Sequence, residues 1–253
     1  MQFHVVIPAR FGSERLPAKP LAKLAGKPLI QHVYERAAES GAASVAVATD
    51  DERILEACRA FDADALLTAA THQSGTDRVA EVADVCGWSE EEIVVNLQGD
   101  EPAMPPVLIA QAAQALADAG SAGIATLATP ITARPEFEDP NAVKVVCDRQ
   151  GRALYFSRSP IPFERGPAVS SGQDRPQGLR HIGLYAYRVA TLRTLTQAPP
   201  CALELAERLE QLRALWLGIE IAVAIVDPAP PAGVDTPADL ARVERLLASR
   251  AVT

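Results

Sequence analysis

Residues 3–20, FHVVIPARFGSERLPAKP, join a short apolar segment to a basic loop that contains a glycine. The apolar part, Phe3–Ile7, has the length and composition of a buried strand. Pro28 suits the first position of the helix that follows, and Gly41 suits the end of that helix. A strand, a loop and a helix in this order form the start of a βαβ unit, so this segment predicts a parallel sheet.

The same alternation continues along the first half of the chain. Strands are predicted at Phe3–Ile7, Ser44–Ala48, Ala65–Thr68 and Ile93–Leu97, and helices at Pro28–Ser40, Asp51–Phe61 and Thr76–Cys86. Because crossovers between parallel strands are right-handed, the helices should cover both faces of the sheet. The predicted fold class is therefore α/β, with three layers and a mostly parallel sheet.

After Gly123 the pattern contains more strand. Strands are predicted at Ile124–Leu127, Ala142–Cys147, Ala153–Ser157, Ile182–Tyr187 and Ile219–Val226, and helices at Leu203–Leu217 and Pro237–Ser249. The segment Glu164–Gly178 is rich in proline, glycine and serine, which predicts a mobile loop. We interpret the chain as one domain, residues 1–253, with an inserted mixed-sheet lobe at about residues 130–215.

Composition narrows the possible functions. The 253 residues are 48% hydrophobic and 22% charged, which is typical of a globular protein. A net charge of -8 argues against a general nucleic-acid or anionic-membrane binder. The four cysteines lie far apart without a CxxC pair, as in reduced cytosolic proteins. Without a basic leader or an apolar segment of roughly 18 residues, we expect a soluble, cytoplasmic protein.

The loop after the first strand is the most basic part of the chain. Between Arg10 and Lys27 it holds five lysines and arginines and one glutamate. Such side chains neutralise phosphate oxygens, and Gly12 allows backbone N–H groups to point inward. The spacing matches neither GxxxxGK[ST] nor GxGxxG, which disfavours P-loop ATPases and hydride-transferring NAD enzymes. A solvated basic loop is the alternative.

Two aspartates form the second signal. Asp100 and Asp235 are each predicted to end an apolar strand, and a proline stands two positions after each of them. Two carboxylates that face a polyphosphate suit Mg²⁺, although each aspartate could instead cap the next helix. Because ligands bind beyond the carboxyl ends of parallel strands, the loop and the aspartates together predict a nucleotide held between cations and a metal. Displacement at phosphorus then needs positioning and charge stabilisation, and no GxSxG motif is present.

Eight segments resemble one known family in order and over nearly the whole chain. They are PARFGSERLPAKPL (8–21), HQSGTDR (72–78), NLQGDEP (96–102), NAVKVV (141–146), ALYFSRSPIP (153–162), RHIGLYAY (180–187), LEQLR (209–213) and GVDTPADL (233–240). The family is the 3-deoxy-manno-octulosonate (Kdo) cytidylyltransferases. The resemblance implies a Rossmann-like nucleotidyltransferase core whose inserted lobe builds a homodimer. It also implies a Mg²⁺-dependent transfer of CMP from CTP to Kdo, which releases pyrophosphate and activates Kdo for lipopolysaccharide synthesis.

The resemblance also implies roles for individual residues. Catalytic roles fall to Arg10, Lys19, Asp100 and Asp235; CTP binding to Ala9, Arg10, Gly12, Arg15, Lys19, Ser74, Gly75, Thr76 and Arg78; sugar binding to Gln98, Arg158, His181, Tyr185 and Glu204; and Mg²⁺ binding to Asp100 and Asp235. Ala18 stands where the family mostly has glycine, so its Cβ should restrict the loop. Two alternatives stay open: a CMP-sialate or amino-Kdo cytidylyltransferase, and a non-catalytic nucleotide-binding protein of the same fold.

Overall fold

A computed structural model describes residues 1–12, 16–165 and 178–250. The strands are β1 (His4–Ala9), β2 (Lys23–Leu24), β3 (Lys27–Pro28), β4 (Ser44–Thr49), β5 (Ala65–Leu67), β6 (Ile93–Asn96), β7 (Ile124–Ile131), β8 (Lys144–Cys147), β9 (Ala153–Ser157), β10 (Gly178–Arg188) and β11 (Ile221–Ile225). Almost all of the predicted mobile loop Glu164–Gly178 lies outside the described residues, and so does Arg15.

Helices follow most of the strands. They are α1 (Leu29–Ala38), α2 (Glu52–Arg59), α3 (Gly75–Val85), α4 (Pro106–Asp118), α5 (Arg134–Glu138), α6 (Val189–Gln197), α7 (Ala202–Glu207), α8 (Gln211–Trp216) and α9 (Pro237–Arg250), with a 3₁₀ helix at Lys19–Leu21. Within the described residues, no helix is long and apolar enough to cross a membrane.

Among the described residues, the main sheet has nine strands, seven of them in the order β11-β7-β10-β6-β1-β4-β5. Strand β1 pairs in parallel with β4 and β6, β4 pairs in parallel with β5, and β7 with β11. Strand β10 runs antiparallel to β6 and β7, and it also pairs with β8, which pairs with β9. The predicted fold class, a mostly parallel sheet with a mixed part, is confirmed.

Two apolar clusters cover the two faces of the sheet. Along β1, Val5 and Ile7 belong to the cluster that includes α1, α2, α4 and α9, whereas Val6 belongs to the cluster that includes α3, α6 and α8. This alternation follows from the two-residue period of a strand. Both faces of the sheet are buried, which gives the three predicted layers.

The structure differs from the sequence pattern at several elements. Helix α4 is not among the predicted elements, although Pro106 stands at its start and Leu108, Ala112 and Leu116 are buried at helical spacing. Helix α6 is likewise not predicted. The predicted helix Leu203–Leu217 is two helices, because Arg208 has a left-handed φ of 52° that ends α7.

The segment at about residues 130–215 supplies strands of the main sheet and also helices that pack beside it. It supplies β10, which lies between β6 and β7, and the β8–β9 pair that branches from β10. Helices α7 and α8 come from the same segment, and α8 packs against β9. The segment therefore forms one wall of any site at the carboxyl ends of β1 and β6.

Candidate active site

A cavity of about 680 Å³ opens at the carboxyl ends of β1, β5 and β6. It is lined by Pro8, Ala9, Arg10, Gly12, Lys19, Pro20, His72, Gln73, Ser74, Gly75, Arg78, Gln98, Gly99, Asp100 and Asp235. This edge is where ligands bind in open parallel sheets. Its volume lies in the range of cavities that hold cofactors and nucleotides.

Lys19 joins the two predicted aspartates. Its Nζ donates to Asp100 Oδ2 at 2.8 Å and to Asp235 Oδ1 at 2.9 Å, although Asp100 and Asp235 are far apart in the chain. Burial alone would lower the pKa of Lys19, but the charges and hydrogen bonds of the two carboxylates outweigh it, so this pKa is raised. The ammonium therefore stays charged, and one cation lies within reach of two carboxylates.

Neither aspartate caps a helix. Strand β6 ends at Asn96 and β11 ends at Ile225, so neither Asp100 nor Asp235 ends a strand as the sequence pattern predicts. It lies just before α9, where Thr236 Oγ1 accepts from Asp239 N at 3.2 Å and Asp239 Oδ2 accepts from Thr236 N at 3.0 Å. That reciprocal pair caps the helix. Because α4 begins only at Pro106, Asp100 does not cap it either.

The two segments that carry the aspartates pack directly against each other. Val234 N donates to Asp100 O at 2.8 Å. A Cβ on Gly233 would lie 2.9 Å from Asp100 O and 3.0 Å from Glu101 Oε1, so only glycine allows this approach. The absence of a side chain at position 233 thus helps to set the separation of Asp100 and Asp235.

Glu101 adjoins the cluster of Lys19, Asp100 and Asp235, and the sequence reasoning missed it. Burial, followed by the charges of Asp100 and Asp235, raises the pKa of Glu101 to about 8, and Arg180 and Lys19 oppose this only in part. The carboxyl group is therefore largely protonated at neutral pH. Its place beside Asp100 in the NLQGDEP segment was the available signal, but burial of one of two adjacent acids depends on tertiary packing.

The predicted nucleotide-binding residues lie along one wall of the cavity. Ala9, Arg10 and Gly12 lie at and after the end of β1, and Ser74 caps α3 by accepting from Asp77 N at 3.1 Å. Thr76 lines a neighbouring cavity instead. Arg15 lies outside the described residues, so its placement stays a prediction.

Arg78 lines the cavity, but its guanidinium is held by protein oxygens. Nη2 donates to Asp50 Oδ2 at 2.5 Å, and Nη1 donates to Thr68 Oγ1 at 2.8 Å and to Ala69 O at 3.1 Å. The side chain of Arg78 is only 5% exposed. These contacts join α3 to the ends of β4 and β5, so Arg78 shapes the wall of the cavity.

A second cavity of about 180 Å³ adjoins the first. It is lined by Gly75, Thr76, Asn96, Gln98, Tyr185, Tyr187, Glu210 and Gln211, of which Gly75 and Gln98 also line the larger cavity. Burial raises the pKa values of Tyr185 and Tyr187 above the ordinary value, so both phenols are uncharged. Burial also raises the pKa of Glu210, against the effect of a hydrogen bond from Thr76. The lining is polar and suits a hydroxylated ligand.

Two of the five predicted sugar-binding residues, Gln98 and Tyr185, line this second cavity. His181 lies behind Tyr185, with ring centroids 5.2 Å apart. Its Nε2 lies 3.0 Å from Thr126 Oγ1, whose own proton is shared with backbone carbonyls, so the imidazole donates this hydrogen bond. Desolvation lowers the pKa of His181 to about 3, and the ring is neutral at physiological pH.

Arg158 and Glu204 line neither of these cavities. Arg158 Nε donates to Glu207 O at 2.8 Å, and Nη1 donates to Pro140 O at 3.0 Å. Glu204 pairs with Arg213, whose Nε and Nη2 donate to its two carboxylate oxygens at 2.7 and 2.5 Å. In this arrangement the charged groups of both side chains form hydrogen bonds to other parts of the protein and have a structural role.

Comparisons with known proteins agree with this geometry. A family model described as Cytidylyltransferase matches residues 4–221, so the chain belongs to the cytidylyltransferase family. The fold alone is shared with a Bacillus anthracis protein assigned as a glucose-1-phosphate thymidylyltransferase, at 14% identity, a TM-score of 0.65 and coverage of 96% of this chain and 94% of that one.

Within the family, the relatives carry a more specific name. Proteins named 3-deoxy-manno-octulosonate cytidylyltransferase are 57% identical in Halorhodospira halophila (98% of this chain, 97% of the relative) and 53% identical in Pseudomonas syringae pv. syringae (97% and 98%). A solved structure of CMP:2-keto-3-deoxy-manno-octonic acid synthetase complexed with CTP is 45% identical, with a TM-score of 0.89 over 99% of this chain and 100% of that one. The resemblance seen in the sequence is confirmed.

Proposed function

We propose that this protein transfers CMP from CTP to the anomeric hydroxyl of Kdo, with release of pyrophosphate, and so activates Kdo for lipopolysaccharide synthesis. The observation that carries the proposal is the cluster of Lys19, Asp100 and Asp235 at the edge of a nucleotide-sized cavity. The names of the relatives, and the CTP in the solved structure of one of them, support the choice of both substrates. The alternatives, a CMP-sialate or amino-Kdo enzyme or a non-catalytic binder, are not favoured.

The basic end of the larger cavity would hold the triphosphate. Arg10 is exposed there, beside Gly12 and the Lys19 ammonium. These cations would neutralise phosphate oxygens and stabilise the charge that moves onto pyrophosphate as the bond from the α-phosphorus breaks. Because the groups are already placed by the fold, little reorganisation is needed when the substrate binds.

The donor set fits Mg²⁺, which we propose as the cofactor. Asp100 and Asp235 offer carboxylate oxygens close enough for one ammonium to contact both. In the described part of the chain, no group of three or more His, Cys, Asp and Glu side chains could hold a metal. Phosphate oxygens and water would have to complete the coordination, as is common for Mg²⁺. When bound, Mg²⁺ would neutralise phosphate charge and lower the pKa of a coordinated hydroxyl.

The sugar acid would occupy the smaller cavity. Gln98 lines both cavities, so a ligand in the second would lie next to the phosphates in the first. Asn96, Gln211 and the tyrosine hydroxyls offer donors and acceptors for a polyhydroxylated chain. The residues of this wall would orient the acceptor hydroxyl toward the α-phosphorus, which is the main requirement of the displacement.

We also propose a homodimer in the cytoplasm. Three large apolar side chains of the segment 130–215 are exposed, Leu154, Phe163 and Leu205, and so is Trp216 just after it. Strand β9 carries Leu154 and packs against α8, which carries Trp216, so a second copy could cover both. All four cysteines are free, as expected in a reducing compartment.

Light scattering tests the dimer. The wild type should give twice the monomer mass, and Trp216→Glu should give a lower mass; a monomeric wild type would contradict the dimer.

A substrate assay tests the proposed reaction. Purified protein with CTP and MgCl₂ should release pyrophosphate with Kdo and form CMP-Kdo, which phosphorus NMR distinguishes from CMP. Pyrophosphate release with sialate alone would reject the choice of Kdo, and no turnover with either acid would favour a non-catalytic binder.

A pair of lysine variants tests the cluster itself. Lys19→Ala should lower kcat/KM for CTP by about 100-fold, the size of effect seen when one preorganised charge-stabilising donor is removed. The control is Lys27→Ala in the same basic segment, where the ammonium pairs with Glu35. Equal activity in both variants would show that Lys19 does not act on the nucleotide.

A further inference from the structure

The larger cavity is long enough to separate the two ends of a nucleotide. Asp100 follows β6, Lys19 follows β1 and His72 follows β5, and these strands lie in the order β6-β1-β4-β5. Neighbouring strands are about 4.8 Å apart, so the edge from β6 to β5 spans about 14 Å. That length suits an extended nucleoside triphosphate. With the phosphates at Lys19, the base would lie toward His72.

The His72 end of the cavity is chemically different from the Lys19 end. Its lining includes His72, Gln73, Ser74 and Gly75, which carry no permanent charge. The guanidinium of Arg78, at this end, already donates to Asp50, Thr68 and Ala69. Among the described residues, this end therefore offers neutral hydrogen-bonding groups, which suit a base better than phosphates.

His72 is oriented by an acid from α3. Its Nε2 lies 2.5 Å from Glu81 Oε2, and the same oxygen accepts from Ala69 N at 2.9 Å. Burial would raise the pKa of Glu81, but these hydrogen bonds outweigh it, so the pKa is lowered and the group is ionised. A carboxylate only accepts, so in the neutral form of the ring Nε2 carries the proton and Nδ1 carries the lone pair. Within the described part of the chain, Nδ1 has no hydrogen-bond partner.

We propose that His72, positioned by Glu81, contacts the base and selects cytosine over uracil. The Nδ1 lone pair would accept a hydrogen bond from the 4-amino group of cytosine. Uracil carries a carbonyl oxygen at that position, so two acceptors would face each other and the contact would be lost. A site that is built to bond one polar group strongly rejects an analogue that lacks it. This inference rests on the CTP-dependent function proposed above.

The test compares kcat/KM for CTP and UTP at saturating Kdo and MgCl₂. In His72→Ala the CTP-to-UTP ratio should fall at least about 10-fold, because the acceptor is gone. In Glu81→Gln the amide can donate to Nε2 and move the ring proton to Nδ1, so the ratio should fall further, toward UTP. The matched control is Glu56→Gln, an exposed acid of α2, which should keep the wild-type ratio.

The outcomes separate the inference from the proposed function. If wild-type protein turns over no CTP, the function fails. If it prefers CTP and His72→Ala keeps the preference within twofold, only the role of His72 is overturned. If His72→Ala does not fold, as judged by circular dichroism, Glu81→Gln decides, and an unchanged ratio there overturns the proposal. Dissociation constants for CTP and UTP, measured calorimetrically without Kdo, should show the same shifts in preference.

Discussion

The backbone conformation of Ala18 sets the position of Lys19. Ala18 has a φ of 53° and a ψ of 34°, which is the left-handed region. An alanine there costs roughly 1–2 kcal/mol relative to the right-handed region, and glycine avoids this cost. The turn leads directly into the 3₁₀ helix Lys19–Leu21, whose first side chain reaches Asp100 and Asp235. The glycine that the family mostly has at this position therefore matches a left-handed backbone conformation, which glycine adopts without strain.

Replacing Asp100 should separate catalysis from folding. Asp100→Asn keeps the shape of the side chain but removes the charge that would hold Mg²⁺, so kcat should fall at least about 100-fold. The melting temperature should stay close to that of the wild type, because Lys19 keeps Asp235 as a partner. Asp118→Asn, at an exposed acid of α4, is the control and should keep full activity. Full activity in Asp100→Asn would refute the metal role.

His181 should make stability depend on pH in a definite direction. Its pKa is about 3 in the folded protein and near 6.5 in an unfolded chain, because desolvation disfavours the imidazolium. Between these values the unfolded state binds the extra proton, so stability decreases as the pH falls from about 6.5 toward 3. Urea unfolding at several pH values should show a smaller decrease in His181→Gln than in the wild type. Parallel curves for the two proteins would contradict this assignment.

At the scale of elements, the break between α7 and α8 is the clearest feature. A helix was expected over Leu203–Leu217, but Arg208 turns left-handed and the chain restarts at α8. The restart carries Glu210 and Gln211 to the smaller cavity. Reciprocal hydrogen bonds between Cys201 and Glu204 cap the N-terminus of α7. Arg213 of α8 donates to Glu204 of α7, which connects the two helices. The two short helices thus form one unit that supplies part of the wall of the smaller cavity.

The Glu204–Arg213 pair should contribute more to stability than a surface pair. The two side chains are 12% and 11% exposed, so Glu204→Ala would leave a cation buried without its partner. We expect a loss of about 3–5 kcal/mol in the free energy of unfolding, measured in urea. In Glu39→Ala, which removes a 51% exposed partner of Arg36, the loss should be below about 1 kcal/mol. Similar losses in both variants would contradict a structural role for Glu204.

At the scale of the whole molecule, the sheet brings together groups from distant parts of the chain. Lys19 follows β1, Asp100 follows β6, and Asp235 lies beyond β11, which is at one edge of the sheet. Asp235 reaches the cluster because the segment after β11 crosses back and packs on Asp100 through Val234. The site therefore exists only when the full sheet and the segment before α9 are in place.

This arrangement predicts that metal and nucleotide bind together. Two carboxylates alone bind Mg²⁺ weakly, and phosphate oxygens would complete the coordination. Thermal unfolding should show little shift with MgCl₂ alone and a rise of several degrees with CTP and MgCl₂, since a ligand that binds only the folded state stabilises it. In Asp100→Asn, MgCl₂ should no longer increase the shift in melting temperature that CTP produces. An equal shift with MgCl₂ alone in the wild type would contradict this type of site.

The sequence by itself determined the sheet, most of its strands and the identity of the charged cluster. Periodicity and turn residues are properties of neighbouring residues, and the resemblance of eight segments along the chain added the roles of the charged residues. The resemblance also predicted sugar-binding roles for Gln98 and Tyr185, and both residues line the smaller cavity.

Only the tertiary structure decided how the remaining polar residues are used. Arg78, Arg158 and Glu204 have the chemistry of ligand-binding residues, yet their charged groups are held by partners distant in sequence. The pKa of Glu101, next to the cluster, is raised because packing buries much of its carboxyl group near two other carboxylates. A local pattern specifies which groups a residue carries, but burial and partner distances depend on contacts between segments that are far apart in the chain, and those contacts exist only in the folded protein.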